Sequence, residues 1–310
     1  MIQVRRAVTR LERARPRWWT QVAIIAFLLW AYDEINNFNP FRRATAIGHG
    51  VSLMHLELRI HLDPELALNR WLALHASLGR FLADYYDLAH FAVTLPLLAW
   101  VWWRYAPRYR MLRNSLIGIH VVGFAIFWLF PVAPPRMLSS FGFVDVVAVT
   151  HAVGAWSTGA LASQANEYAA MPSLHVAWAL WCAVAVWSTR RDAVSRVVSA
   201  AYAVTTCVVV MATANHYFLD VAAGFATTAL AVGAARWWER RAGGSRRRAG
   251  GARRFDVSRP ETEPAAPTAV RGRPGGEEAA LARFSGSPAW IEPRAQRAVT
   301  LRWVRGARMG

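Results

Sequence analysis

Six apolar runs decide what this chain can fold into. They cover residues 22–32, 85–103, 116–130, 173–187, 197–214 and 219–238. A bilayer's hydrocarbon core is about 30 Å thick, and about 20 apolar residues cross it as a helix. Lipid offers no hydrogen-bond partner, so a crossing backbone must bond to itself. The expectation is an all-α, polytopic membrane protein with six transmembrane helices. Composition agrees, with 55% apolar residues and 16 Trp in 310. The first run is the shortest, and Trp18 and Trp19 stand before it as interfacial anchors. A basic start before a short apolar core also suits a cleaved signal peptide. No small-x-small cleavage site follows, so an uncleaved first span is expected.

The formal net charge is +17, and every Lys-or-Arg position is arginine. Such a charge is a common mark of nucleic-acid binding. Here the arginines sit beside apolar runs and in the C-terminal tail, which points to topology and anionic lipid instead. No nucleic-acid partner is expected. Residues 1–17, 104–113 and 188–196 and the C-terminal tail are arginine-rich, whereas 131–172 and 215–219 are not. Six spans put both termini on one side, and the positive-inside rule makes that side the cytoplasm. Enrichment in Arg, Ala and Trp suggests a bacterial source, so the expected location is the bacterial plasma membrane. Cys182 and Cys207 both lie within apolar runs and read as small buried apolar residues.

Four parts are expected. Residues 1–17 form a basic cytoplasmic tail. Residues 18–84 hold the first span and an outer-face segment. Within that segment Arg42, Arg43, Glu57, Arg59, Asp63, Glu65, Arg70 and Arg80 are interleaved with leucines. The pattern reads as amphipathic helix lying along the interface, broken near Asp63-Pro64. Its histidines, His49, His55, His61 and His75, match no zinc pattern and read as interfacial or solvated. Residues 85–238 form the membrane domain that carries the chemistry. Residues 239–310, rich in Arg, Gly, Pro and Ala without periodicity, form a disordered cytoplasmic tail. Within it, the Trp290-to-Trp303 piece reads as a short interfacial helix.

The chemistry-bearing residues cluster at span ends. Met171-Pro172-Ser173-Leu174-His175 opens the fourth span, and Asn215-His216-Tyr217-Phe218-Leu219-Asp220 opens the sixth. Two spans return the chain to the side it left, so His175 and His216 share a face of the membrane. Asp220 follows His216 by one helical turn and shares its helix face. Arg136, in Pro134-Pro135-Arg136, lies on the same outer side. Singly, each of these has a bland reading, a packed histidine or a structural hydrogen-bonded pair. Together at one face they fit phosphate-ester chemistry. That chemistry needs a nucleophile, an acid for the leaving oxygen and fixed positive charge. His216 fits the nucleophile, Asp220 its orienting carboxylate, His175 the acid and Arg136 the phosphate clamp. Ser173 adds a hydroxyl at a helix start, and Asn215 is either a cap or a phosphate contact. No metal is expected, because two histidines and one aspartate lack further clustered ligands, and no cofactor is implied. His90 and His120, inside spans, read as core packing. Glu167 and Tyr168 precede the motif without a physical account.

At these residues the chain resembles the type 2 phosphatidic acid phosphatase superfamily, and more narrowly its inositol phosphorylceramide synthase-like branch of inositolphosphotransferases. The resemblance rests on Pro134-Pro135-Arg136, on Met171 to His175 with Ala177-Trp178-Ala179, and on His216-Tyr217, Asp220 and Gly224. It covers about residues 85–238. It implies that His216 becomes phosphorylated, that Asp220 orients it, that His175 protonates the leaving group and that Arg136 binds phosphate. The chain departs from the general pattern in having Leu129 where a lysine is usual and Val210 where an arginine is usual. Leu174 replaces a glycine. These departures are typical of the inositol-type branch, although that branch often has histidine where this chain has Asn215.

The sequence therefore predicts a metal-independent enzyme acting on a lipid phosphate in the outer leaflet. It would be a lipid phosphatase if water is the acceptor and a phosphotransferase if an alcohol such as inositol is. The alternative is a non-catalytic lipid-binding or transport protein that keeps the fold.

Overall fold

The computed structural model describes residues 16–37, 42–150 and 168–255. Most of the basic N-terminal tail, Glu167 and the chain beyond 255 lie outside the described residues. Nine helices run through the rest: α1 (Trp18–Asn37), α2 (Arg43–Ile60), α3 (Pro64–Ala73), α4 (Ala76–Arg104), α5 (Ala106–Leu129), α6 (Val146–Thr150), α7 (Leu174–Thr189), α8 (Ala193–Ala212) and α9 (Phe218–Phe255). Two 3-10 turns, Pro135–Met137 and Ser139–Phe141, lie between α5 and α6. Among the described residues the only strand-like pairing is a single bridge between Val132 and Ala169.

Local sequence explains where the helices begin and end. α2 stops because His61 takes a left-handed conformation (φ 56°), and Pro64 then starts α3 at a position where its missing N–H costs nothing. This is the break expected at Asp63-Pro64. Ser173 and Asp192 cap α7 and α8 by accepting from the N–H of Val176 and Ser195. α8 closes in a Schellman motif. Ala214, at φ 53°, donates to Met211 O, and Asn215 N–H reaches Val210 O.

Three helical stretches are long and apolar enough to cross a membrane: Ala106–Leu129, Ala193–Ala212 and Phe218–Ala242. Leu174–Thr189 is apolar but shorter. The core joins α4, α5, α7 and α9 through Val101, Leu112, Ile119, Trp181 and Ala231. The Trp181 indole N–H donates to Leu112 O and Ser115 Oγ at 2.9 and 3.1 Å, so this large ring is buried without a polar debt. α9 crosses α7 closely at Gly224. A Cβ there would stand 2.8 Å from Ser173 O, too near for any other residue without movement. A second cluster, with Met54, Val132, Leu138, Phe143 and Tyr217, closes the end of the bundle that carries the motifs.

Three expectations are corrected. α4 starts at Ala76, not near 85, because Leu82 and Ala83 pack on the α3–α6 side and extend the helix past the apolar run. The helix that carries the sixth run continues past the expected end of that span, to Phe255. Finally, Glu57 and Glu65, expected among the charged positions of an interfacial helix, are both fully buried.

Candidate active site

His216 sits just past the Schellman turn that ends α8, and the turn fixes its direction. Its own N–H bonds to Val210 O at 3.1 Å. On the ring, Nδ1 lies 2.8 Å from Ala170 O and 3.5 Å from Asp220 Oδ2. Both of these oxygens accept. Nδ1 therefore carries the hydrogen, and in the neutral ring Nε2 holds the lone pair; the tautomer is assigned from its partners. Nε2 is buried and has no partner among the described residues. A lone pair presented in this way is what a nitrogen nucleophile requires.

Asp220 has two duties. Its Oδ2 accepts from Tyr217 N–H at 2.9 Å, the carboxylate half of a capping box at the start of α9, and it lies beside the His216 ring. The nearer ring partner is the Ala170 carbonyl, a backbone group with no residue signature. α7 and α9 are also tied together here, since Ser173 N–H donates to Asp220 O at 3.1 Å. Ser173 Oγ is fully buried and accepts from Val176 N–H at 3.4 Å.

His175, in the first turn of α7, faces His216 with ring centres 5.9 Å apart, close enough for both to touch one phosphoryl group. It is held by aromatic packing. Tyr86 stacks on it at 4.1 Å, and the His90 ring meets it at 4.4 Å in a T shape. Arg136 completes the group. Its backbone N–H donates to Ala214 O, Nη1 donates to Asn215 Oδ1 at 2.6 Å, and Nε lies 3.6 Å from the Asp145 carboxylate. Nη2 keeps no partner among the described residues. The Asn215 amide is engaged on both sides, since its Nδ2 donates to Thr213 Oγ1 at 2.9 Å. Asn215 thus holds the arginine rather than capping a helix. Segments 134–136, 170–175 and 213–220 converge, and all six expected site residues lie in them.

The family model described as the PAP2 superfamily matches residues 51–234, more than half of the chain and all of this group. The chain belongs to the PAP2 superfamily. Searches of curated proteins and of solved structures find no match. PAP2 membership supports a lipid phosphatase-type function and, with the apolar helices, a membrane-embedded protein; members are generally metal-independent phosphatases.

The PAP2 match begins at residue 51, well before the 85–238 over which the sequence resemblance runs, and so takes in α3 and most of α2. Those helices supply parts of the site that the sequence reading missed. Glu57 Oε1 accepts from Leu219 N–H at 2.6 Å, next to Asp220. Asn69 bonds Val144 at both N–H and C=O, and also Ala212 O. The places of the two usual cations are apolar: Leu129 is exposed, and Val210 is buried with its carbonyl spent on the Asn215 and His216 N–H groups. Among the described residues, Arg136 is the cation that contacts the site turn. Among the described residues, no three His, Cys, Asp or Glu side chains gather to hold a metal ion.

Proposed function

We propose that this PAP2 protein cleaves a phosphate ester or anhydride of a lipid through a phosphohistidine on His216. The observation that carries the reading is the fixed tautomer of His216, with Nδ1–H bound to Ala170 O and Nε2 left unpartnered. In the first half-reaction Nε2 attacks phosphorus, the bond to the lipid oxygen breaks, and His175 gives that oxygen a proton. Arg136 Nη2 meets the phosphoryl oxygens, and Asp220 steadies the charge on the imidazole. In the second half His175 takes a proton from water or an alcohol. The freed oxygen attacks phosphorus, the P–N bond breaks, and His216 is restored. Water makes the protein a phosphatase. An alcohol such as inositol makes it a phosphotransferase of the inositol-type branch.

The same proposal sets the membrane arrangement. Six spans, α1, α4, α5, α7, α8 and α9, place the site at the outer face with both termini in the cytoplasm, while α2 and α3 lie along the outer interface. Arginine bias between loops supports this.

The test uses full-length protein in detergent with EDTA, offered phospholipids and isoprenoid diphosphates, with and without inositol. Phosphate release, or a new inositol-containing lipid, is expected from the wild type. His216→Ala should lower kcat by about three orders of magnitude or more. Ser173→Ala, which removes a cap, should cost far less; equal rates for the two variants would sink the role assignment. Leu129 and Val210, in place of two cations, favour a second reading, a non-catalytic lipid-binding protein. Folded protein that is silent on every substrate, and binds lipid equally well as His216→Ala, would support that reading instead.

A further inference from the structure

Beside His175, a cavity of about 230 Å³ opens between α1, α4, α5 and α7. Its wall is mostly hydrocarbon, with Leu28, Leu95, Leu98 and Phe124 among the lining, and His175 forms part of it. The cavity is therefore continuous with the candidate active site. Besides His175, polar side chains in the wall are Tyr32, His90, Thr94, His120 and Trp178, and the Thr94 hydroxyl is paired with Cys182 Sγ. His90 Nδ1 lies 3.1 Å from Tyr86 O, and His120 Nδ1 lies 2.8 Å from Leu116 O. A carbonyl only accepts, so both rings carry their hydrogen on Nδ1, and in the uncharged rings both Nε2 atoms are acceptors. Neither Nε2 has a partner among the described residues. The Trp178 ring packs against both histidines, at 5.2 and 5.1 Å between centres, and its indole N–H is buried without a partner among the described residues. Two imidazole acceptors set in a mostly hydrocarbon cavity wall, with no donor in reach, need an explanation.

We propose that the cavity seats the apolar part of the substrate, and that His90 and His120 select phosphorylated lipids bearing a hydroxyl or amide N–H beside the phosphate. The inference rests on the phosphatase or phosphotransferase reading above and names the substrate class within it. A bare hydrocarbon chain would leave both imidazole acceptors unmet. A hydroxyl or an amide N–H supplies the donor they lack. The His90 ring is 4.4 Å from that of His175, so the recognised group lies near the reacting phosphate and not far down the chain.

Matched substrate pairs test this with the full chain in detergent micelles. One pair is lysophosphatidic acid and its 2-deoxy analogue; the other is ceramide 1-phosphate and phosphatidic acid of equal chain length. The wild type should show kcat/KM higher by about tenfold or more for the donor-bearing member of each pair. In His90→Phe and His120→Phe that ratio should fall towards one. His90→Gln keeps an acceptor and should retain much of the preference, which a merely structural role for the ring would not predict. Turnover without preference, or a preference unchanged in both Phe variants, overturns this inference and leaves the proposed function standing. No turnover of any of the four, beside turnover of an isoprenoid diphosphate, overturns this inference alone; silence on those as well overturns both.

Discussion

At the scale of single residues, the site is built from one turn under conformational tension. Ala214 occupies the left-handed position of the Schellman motif, where glycine is usual. For an L residue that conformation costs on the order of 1–2 kcal/mol. The surrounding bonds hold it there. Its carbonyl accepts from Arg136 N–H, and the two residues after it both bond to Val210 O. The turn thus aligns Arg136, Asn215 and His216 together. Glycine at 214 relieves the tension but loses about 0.5–1 kcal/mol to the freer unfolded chain. Ala214→Gly should therefore melt close to the wild type and keep its activity. Ala214→Val, β-branched in a region such residues avoid, should lose about 2 kcal/mol or more. Thermal melts of both variants in detergent decide the matter. If the glycine variant is as destabilised as the valine one, the turn is held by something other than this geometry.

At the scale of elements, two contacts keep the motif-bearing helices in register. Asn69 of α3 acts as a strand partner for Val144 and reaches Ala212 at the end of α8, satisfying three backbone groups from one buried amide. Asn69→Ala strands those groups, and a loss of about 3 kcal/mol or more is expected; Asn69→Asp, unable to donate, should recover little of it. A drop under about 1 kcal/mol in the alanine variant would show that water replaces the amide. Gly224 sets the approach of α9 to α7. Gly224→Ala puts a methyl 2.8 Å from Ser173 O, a backbone atom that cannot swing aside. The helices must part, and His216 and Asp220 shift relative to His175. Activity should fall more steeply than stability, read as a kcat loss of about tenfold beside a modest change in melting temperature. Wild-type kcat in this variant would mean that the crossing yields without disturbing the site. Much of this scale was legible beforehand. The apolar runs locate α5, α7, α8 and most of α9, because a membrane-crossing helix is announced by its own composition. Pro134 to Arg136, Ser173 to His175 and Asn215 to Asp220 announce the site by residue type. The Ala170 carbonyl does not, since a backbone acceptor carries no signature. Nor do Tyr86 and His90, whose packing on His175 exists only once α4 lies beside α7.

At the scale of the whole molecule, the least legible feature is the carboxyl pair of Glu57 and Glu65. In sequence, a glutamate between arginines and leucines reads as a surface charge. In the fold both are fully buried, brought from α2 and α3 to the first turn of α9. Leu219 N–H and the positive end of that helix favour a carboxylate on Glu57. Burial opposes it, and so does the neighbouring Glu65, with Asp220 adding a smaller repulsion; together they push Glu57 up to about 10. Glu65 is raised as well, chiefly by burial, with Asp63 adding to it. The two side chains also hydrogen-bond to each other, which two bare carboxylates cannot do, so the pair holds at least one proton. The consequence for stability has a definite sign. In the unfolded chain Glu57 releases its proton near the ordinary carboxyl value of 4.5, whereas in the fold it keeps the proton until about pH 10. Between those limits the folded state binds more protons, so stability is greatest below the lower value and declines as pH rises towards the upper one. The wild type should melt at progressively lower temperature from about pH 6 to pH 10. Glu57→Gln keeps an oxygen for Leu219 N–H and cannot ionise, so its melting curve should fall less over the same window. A steeper alkaline decline in Glu57→Gln than in the wild type would show that the pair is charged in the fold. α2 and α3 would then bear on α9, and through it on Asp220 and His216, as fixed negative charge instead of as a neutral wedge.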